Sequence, residues 1–238
     1  MDVNGKTALI TGGSKGIGFG IAEALVQKGM KVAFTGRTMS SVQGAIDRLK
    51  KIKGAEVIGL ESDVRDKGSL EKVVSEVLHR WGQLDVLVAN AGVGHFGSIE
   101  SISDEQWHET MDINLTGVFN SVKASLDALK QTKGYIITIS SLAGTNFFAG
   151  GSAYNASKFG LSGFSQAIML DLRKYGIKVT TIMPGSVATY FNDHVPGPSD
   201  SWKIQIEDIG QLVVDLLEMP ARTLPSKIEI RPTTPPTS

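Results

Sequence analysis

The chain has 238 residues, with 24 basic and 24 acidic side chains, 27 glycines and no cysteine. A zero formal charge supplies no overall basic field for nucleic acid, and the lack of cysteine excludes disulfides and thiolate–metal sites. With no run of roughly 18 apolar residues and no basic-then-apolar leader, a soluble protein without a membrane partner is expected, cytoplasmic by default.

Apolar periodicity predicts alternating strands and helices. Residues 7–11 (TALIT) read as a buried strand, and 17–28 as a helix with Ile17, Ile21, Ala24 and Leu25 on one side. A strand at 31–35, a helix at 41–51 and a strand at 56–60 follow. A helix at 70–81 precedes a strand at 86–88. Residues 107–129 read as one long helix despite Gly117, then come a strand at 135–140 and a long helix at 152–175. A strand at 178–183, a helix at 206–217 and a short final strand at 227–230 complete the pattern. Repeated strand–helix units predict an α/β fold: a Rossmann-type, doubly wound parallel sheet with helices on both faces. The whole chain, 1–238, reads as one domain. Residues 189–203 are polar and Pro/Gly-bearing and read as a mobile loop. The Pro/Thr-rich end, 232–238, is expected to be extended or disordered.

The first strand runs into Thr11-Gly12-Gly13-Ser14-Lys15-Gly16-Ile17-Gly18, which opens the first helix. Glycines there allow a tight turn whose N–H groups approach a pyrophosphate, and the helix N-terminus favours that anion. The Gly12, Gly16, Gly18 spacing differs from the commoner dinucleotide fingerprint, and no Gly-Lys-Ser/Thr is present to make a Walker loop. At the end of the second strand, where NAD enzymes place an acidic residue for the ribose 2′-hydroxyl, this chain has Gly36 followed by Arg37. Arg37, with Ser14 and Lys15 in the turn, suits a 2′-phosphate, so NADP(H) is expected over NAD(H), which stays possible.

Tyr154 and Lys158 lie four apart and share one helical face. An ammonium near a phenol stabilises the phenolate, which fits Tyr154 for proton transfer near neutral pH. Ser141 stands thirteen residues earlier, at the C-terminal end of a strand, where open parallel sheets bind ligands. Ser140 beside it carries a second hydroxyl.

These residues together resemble the short-chain dehydrogenase/reductase family in its compact form. The resemblance rests on Thr11-Gly-x-x-x-Gly-x-Gly18, Asp63-Val64, Asn90-Ala91-Gly92, Asn114, Ser141, Tyr154-x-x-x-Lys158 and Pro184-Gly185, in order from about residue 5 to 190. It implies a sheet of about seven strands and a nicotinamide-dependent carbonyl/alcohol oxidoreductase, similar to 3-oxoacyl reductases. By resemblance Tyr154 gives its proton to the carbonyl oxygen as hydride arrives, and Ser141, favoured over Ser140 by its thirteen-residue spacing to Tyr154, hydrogen-bonds that oxygen. Lys158 would hold the nicotinamide ribose and lower the Tyr154 pKa, and Asn114 would hold a water linking Lys158 to solvent. Gly12, Ser14, Lys15, Gly16, Ile17 and Gly18 would bind the phosphates, and Asp63 and Val64 the adenine. Asn90, Ala91 and Gly92 would pass close to the adenosine ribose; Pro184, Gly185, Val187 and Thr189 would cradle the nicotinamide.

The substrate is expected over the nicotinamide and below residues 189–206, between His95, Phe96, Phe147, Phe148, Tyr190, Phe191 and Trp202. Two departures from the family stand out. Ala89 replaces a frequent second Asn before Asn-Ala-Gly, and Lys-Ile-Glu-Ile-Arg-Pro replaces the Val-Asp-Gly-Gly-type ending of many acyl-carrier-linked reductases. The second weakens a housekeeping fatty-acid role. An NADPH-dependent reductase of a ketone, aldehyde or 3-oxoacyl group leads. An NAD-dependent alcohol dehydrogenase and a non-catalytic dinucleotide-binding redox sensor stand as alternatives. The four His residues lack ligand spacing, so no metal is expected. The resemblance implies a homodimer or homotetramer acting on a small carbonyl or alcohol, with no nucleic-acid partner.

Overall fold

The structure, a computed structural model, describes residues 2–235. Seven strands form one all-parallel sheet: β1 (Thr7–Ile10), β2 (Lys31–Gly36), β3 (Glu56–Glu61), β4 (Val86–Ala89), β5 (Tyr135–Ile139), β6 (Lys178–Pro184) and β7 (Lys227–Ile230). Their spatial order is β3-β2-β1-β4-β5-β6-β7. The order reverses between β1 and β4, which opens a crevice at their C-terminal ends.

Burial on both faces explains the continuous apolar runs of the strands. Ala8, Ile10, Val86 and Val88 pack into one core with helices α1 (Gly16–Gln27), α2 (Met39–Leu49) and α7 (Ile206–Glu218). Leu9, Leu87 and Ala89 alternate to the other core, under α3 (Lys67–Trp81), α5 (Gly117–Thr132) and α6 (Ser152–Leu172). Close crossing of α1 and α7 needs glycine: a Cβ on Gly20 would lie 2.5 Å from the Ile206 carbonyl oxygen, and one on Gly210 would lie 2.6 Å from that of Gly20.

The predicted order of strands and helices matches the architecture, with two revisions. The expected long helix over 107–129 starts earlier, as α4 (Asp104–Met111), capped by Ser103 and Gln106 in a reciprocal capping box. It then widens into a π-helical turn at Asp112–Thr116 before continuing as α5. The widening occurs where Asn114 turns its side chain inward, away from the helical ladder. Gly117 follows because Val64 presses there; a Cβ would lie 2.6 Å from Val64 Cγ2. The helix expected over 152–175 ends at Leu172 and tightens into a 3₁₀ turn at Arg173–Tyr175. Of the Pro/Thr-rich end, residues 236–238 lie outside the described residues. Among the described residues no helix is long and apolar enough to cross a membrane.

Candidate active site

The glycine turn after β1 is built by hydrogen bonds from its neighbours. Thr11 Oγ1 accepts from the N–H groups of Asn90 (3.1 Å) and Ala91 (3.2 Å). The Asn90 amide donates back to the Thr11 and Gly12 carbonyls at 2.9 and 3.0 Å. Gly12 and Gly16 take φ of +66° and +58°, a region that favours glycine. A Cβ on Gly18 would meet the Asn90 amide at 2.5 Å, so strand β4 and helix α1 close on each other only because residue 18 is glycine. Lys15, the N-cap residue of α1, makes no side-chain cap, which leaves that helix end open to an anion. This loop therefore fits a dinucleotide pyrophosphate. Thr189, at the head of the 189–206 loop, packs against Gly16, so the loop begins beside the turn. Val187 follows the end of β6 and bridges to Ile204.

At the end of β2, a Cβ on Gly36 would lie 2.9 Å from Val42 Cγ2, 3.0 Å from Ser14 Oγ and 3.2 Å from Ser41 Oγ. That crowding leaves little room for the acidic residue of NAD enzymes. Arg37 next to it is mostly exposed, with its guanidinium 4.0 Å from Glu109. The Asp63 carboxylate is held by Arg65, through the Arg65 N–H at 2.9 Å and the guanidinium, which keeps its pKa below the usual range. Val64 is buried against α5.

The candidate catalytic side chains converge at the C-terminal ends of β4 and β5. The Lys158 ammonium lies 5.6 Å from the centre of the Tyr154 ring and donates to the Ile139 carbonyl at 3.1 Å. Burial lowers Lys158 to about 8. Desolvation raises the Tyr154 phenol, and its hydrogen bond with Ser141 pulls the other way. The expected lowering of the phenol by Lys158 is thus not the dominant influence here; desolvation is. The Ser141 hydroxyl also accepts from Ala143 N–H at 3.1 Å. Ser140, by contrast, is buried against α6, its hydroxyl 3.2 Å from that of Ser162.

Asn114 is fully buried. Its Oδ1 accepts from Val93 N–H at 2.8 Å, and its Nδ2 donates to the Val93 carbonyl at 2.9 Å and to Ser157 Oγ at 3.0 Å. Gly92 keeps the space beside it clear, since a Cβ there would sit 3.2 Å from Asn114 Oδ1 and 3.7 Å from the Lys158 ammonium.

The expected pocket walls divide. Phe96 and Phe191 flank the Tyr154 ring with centres 5.2 and 5.8 Å away, and Phe148 packs on Phe96 at 6.0 Å. Phe147 is 86% exposed and, among the described residues, makes no ring contact with this group. Tyr190 is half-exposed beside Phe191, and the half-buried Trp202 lies under the Lys203 ammonium. His95 is tied to Glu109 at 2.7 Å. The 189–203 segment carries internal structure. Its Asp200 carboxylate binds Lys203 (2.6 Å), His194 (2.7 Å) and the Gly197 N–H (2.9 Å), and these contacts hold its pKa far below the carboxylate range.

The sequence reading missed Asn155, whose amide donates to the Ala143 and Asn146 carbonyls at 2.8 and 2.9 Å and fixes the loop that carries Ser141. Its signal lay inside the Tyr-Asn-Ala-Ser-Lys run: a helical position that faces away from Tyr154, toward the core. Glu109 was missed too. Its partners His95 and Arg37 are distant in sequence, and nothing local announces them.

A family model described as short chain dehydrogenase matches residues 6–197. The 3-oxoacyl-[acyl-carrier-protein] reductase FabG of Escherichia coli K12 is 38% identical over 190 residues, covering 79% of this chain and 76% of that protein. The glycine betaine reductase ATRR of Emericella nidulans is 31% identical over 97% of this chain, which spans only 19% of that longer protein. An alcohol dehydrogenase from the archaeon Thermococcus sibiricus, solved with 5-hydroxy-NADP, superposes with a TM-score of 0.91 at 31% identity, covering 98% of this chain and 99% of that one.

Proposed function

The chain belongs to the short-chain dehydrogenase family of oxidoreductases, and we propose that within it the protein reduces a ketone, aldehyde or 3-oxoacyl carbonyl to an alcohol with NADPH. The observation that carries this reading is the meeting of Ser141, Tyr154 and Lys158 beside a glycine turn shaped for a dinucleotide. When bound, the cofactor supplies the hydride that adds to the carbonyl carbon.

The chain's own residues do the rest. Tyr154, flanked by the Phe96 and Phe191 rings, donates the phenolic proton to the carbonyl oxygen. Ser141 hydrogen-bonds the same oxygen and stabilises the negative charge that develops there. The Lys158 cation favours the phenolate left on Tyr154 and binds the nicotinamide ribose. Asn114 holds the π-helical turn next to Lys158. Its side-chain amide is committed to Val93 and Ser157, so a water returning protons to Lys158 would use the backbone of that turn. Arg37, beside Gly36 and its neighbour Ser14, would meet the 2′-phosphate, with Lys15 in the same turn; the crowding around Gly36 supports NADP(H) over NAD(H). Pro184, Gly185, Val187 and Thr189 would cradle the nicotinamide. One chain serves as one catalytic domain and pairs with further copies into a homodimer or homotetramer.

The test is oxidation of NADPH, and of NADH in parallel, followed by absorbance with a panel of ketones, aldehydes and 3-oxoacyl thioesters. Carbonyl-dependent turnover that favours NADPH is expected. Turnover favouring NADH would reverse the cofactor assignment. Full turnover in Tyr154→Phe would overturn the mechanism.

A further inference from the structure

Resting on the reductase reading above, we infer that the site selects neutral carbonyl compounds with an aromatic or cyclic apolar group beside the carbonyl, rather than phosphorylated thioesters or small polar ketones. The inference starts from three rings. Phe96, Phe148 and Phe191 come from three separate segments and form one cup around the Tyr154 phenol. All three remain substantially exposed: Phe96 is 45%, Phe148 47% and Phe191 36% accessible. Exposed apolar area of this kind, gathered around the proton donor, gains most from covering by an apolar group of the substrate. Ring centres 5.2 to 6.4 Å apart in tilted and edge-to-face arrangements leave faces on which another ring can pack.

The rings are seated, not loosely placed. A Cβ on Gly94 would lie 2.5 Å from Phe191 Cζ and 3.1 Å from Phe96 Cε2. A Cβ on Gly151 would lie 2.6 Å from Phe148 Cε2. Glycine at these two positions lets backbone and ring come into contact, and any larger residue there would displace the ring. Phe191 is further fixed by its own chain. Its N–H donates to Thr189 Oγ1 at 3.3 Å, and the following Asn192 and Asp193 take φ of +54° and +58°. Two successive non-glycine residues in the left-handed region are strained, and such strain persists where the surroundings impose it.

Charge separates the candidate substrates. Segments 93–111, 142–157 and 185–202, which carry the cup and its rim, contain no lysine or arginine. They do contain Glu100, Asp104, Glu105, Glu109, Asp193 and Asp200. The cations that border these segments already have partners: Lys203 is bound to Asp200, Arg37 lies 4.0 Å from Glu109, and Lys158 donates to the Ile139 carbonyl. A coenzyme A thioester brings several phosphate charges to this rim and finds no cation in these segments to meet them. A neutral aryl ketone meets only the rings.

The test compares kcat/KM of the full chain at saturating NADPH for acetophenone, butanone and acetoacetyl-coenzyme A. Acetophenone is expected to exceed each of the others by at least about tenfold, the effect of roughly 1.4 kcal/mol. Phe96→Leu keeps an apolar side chain and removes one ring. It is expected to lower the acetophenone-to-butanone ratio by about 2- to 12-fold, the range for one aromatic pair. NADPH fluorescence and thermal unfolding report whether the variant is folded; Phe191→Leu serves as the second variant. A preference for acetoacetyl-coenzyme A, or an unchanged ratio in both folded variants, overturns the inference and leaves the reductase reading standing. NADPH oxidation with none of the carbonyls, and no calorimetric binding of acetophenone, overturns both.

Discussion

Asn114→Ala separates a bracing role from a chemical one. The side chain is fully buried and makes three hydrogen bonds, two of them to the main chain of Val93 and one to Ser157. Ser157 keeps another partner, because its hydroxyl donates to the Tyr154 carbonyl at 2.8 Å. Truncation therefore orphans the N–H and C=O of Val93, in a site from which water is mostly excluded. Each orphaned group costs about 1–2 kcal/mol at such partly buried positions, so a loss of roughly 2–4 kcal/mol is expected. For a chain of this size that corresponds to a fall in Tm of roughly 4–16 °C. Differential scanning calorimetry, run beside NADPH oxidation, reads both effects. A Tm within about 1 °C of wild type, with turnover lost, would refute the bracing argument and assign the amide a direct part in the chemistry.

Three further outcomes are expected. Tyr154→Phe lowers the rate of reduction by about 10²- to 10⁴-fold, the usual contribution of a general acid, while NADPH binding followed by fluorescence stays unchanged. Arg37→Ala raises the NADPH dissociation constant by about 10- to 100-fold, as loss of a charge-assisted contact predicts, and leaves that for NADH as it was; equal weakening of both would remove Arg37 from the 2′-phosphate. Lys158 gives a stability signature with a definite sign. Burial lowers it to about 8 from 10.5, so between those values the unfolded chain holds more protons than the folded one, and stability rises with pH. Relative to Lys158→Met, the wild type should gain about 2 kcal/mol between pH 7.5 and 9.5 in urea unfolding. A flat difference would mean that the lysine keeps its ordinary pKa in the fold.

The alternation of elements was legible because the central strands are buried on both faces and the helices on one, while the edge strand β7 alternates exposed and half-buried residues. Continuous apolar runs at β1 and β4 and the stripe on α7 record those environments directly. The π-helical turn was not legible, because its cause is tertiary. Asn114 reaches Val93 and Ser157, 21 and 43 positions away, and apolar spacing on either side of it still reads as one helix. The choice of Ser141 over Ser140 rests on the thirteen-residue spacing to Tyr154 within the family resemblance; the structure turns Ser140 into α6 and Ser141 toward the phenol.

The polar groups around the crevice divide by what they are free to do. Asn90, Asn114 and Asn155 each have their amides committed to main-chain carbonyls of loops that carry functional residues. Such residues are conspicuous in a sequence as polar side chains in apolar surroundings, and their type alone suggests chemistry. Their geometry makes them braces instead, holding the glycine turn, the Val93 segment and the Ser141 loop in fixed positions. What remains able to face a substrate is the Tyr154 phenol, the Ser141 hydroxyl and the rings seated on Gly94 and Gly151. Those two glycines carry as much information about the pocket as the phenylalanines do. They were illegible as such, because a glycine in a loop reads as a turn until the ring that it accommodates is placed against it.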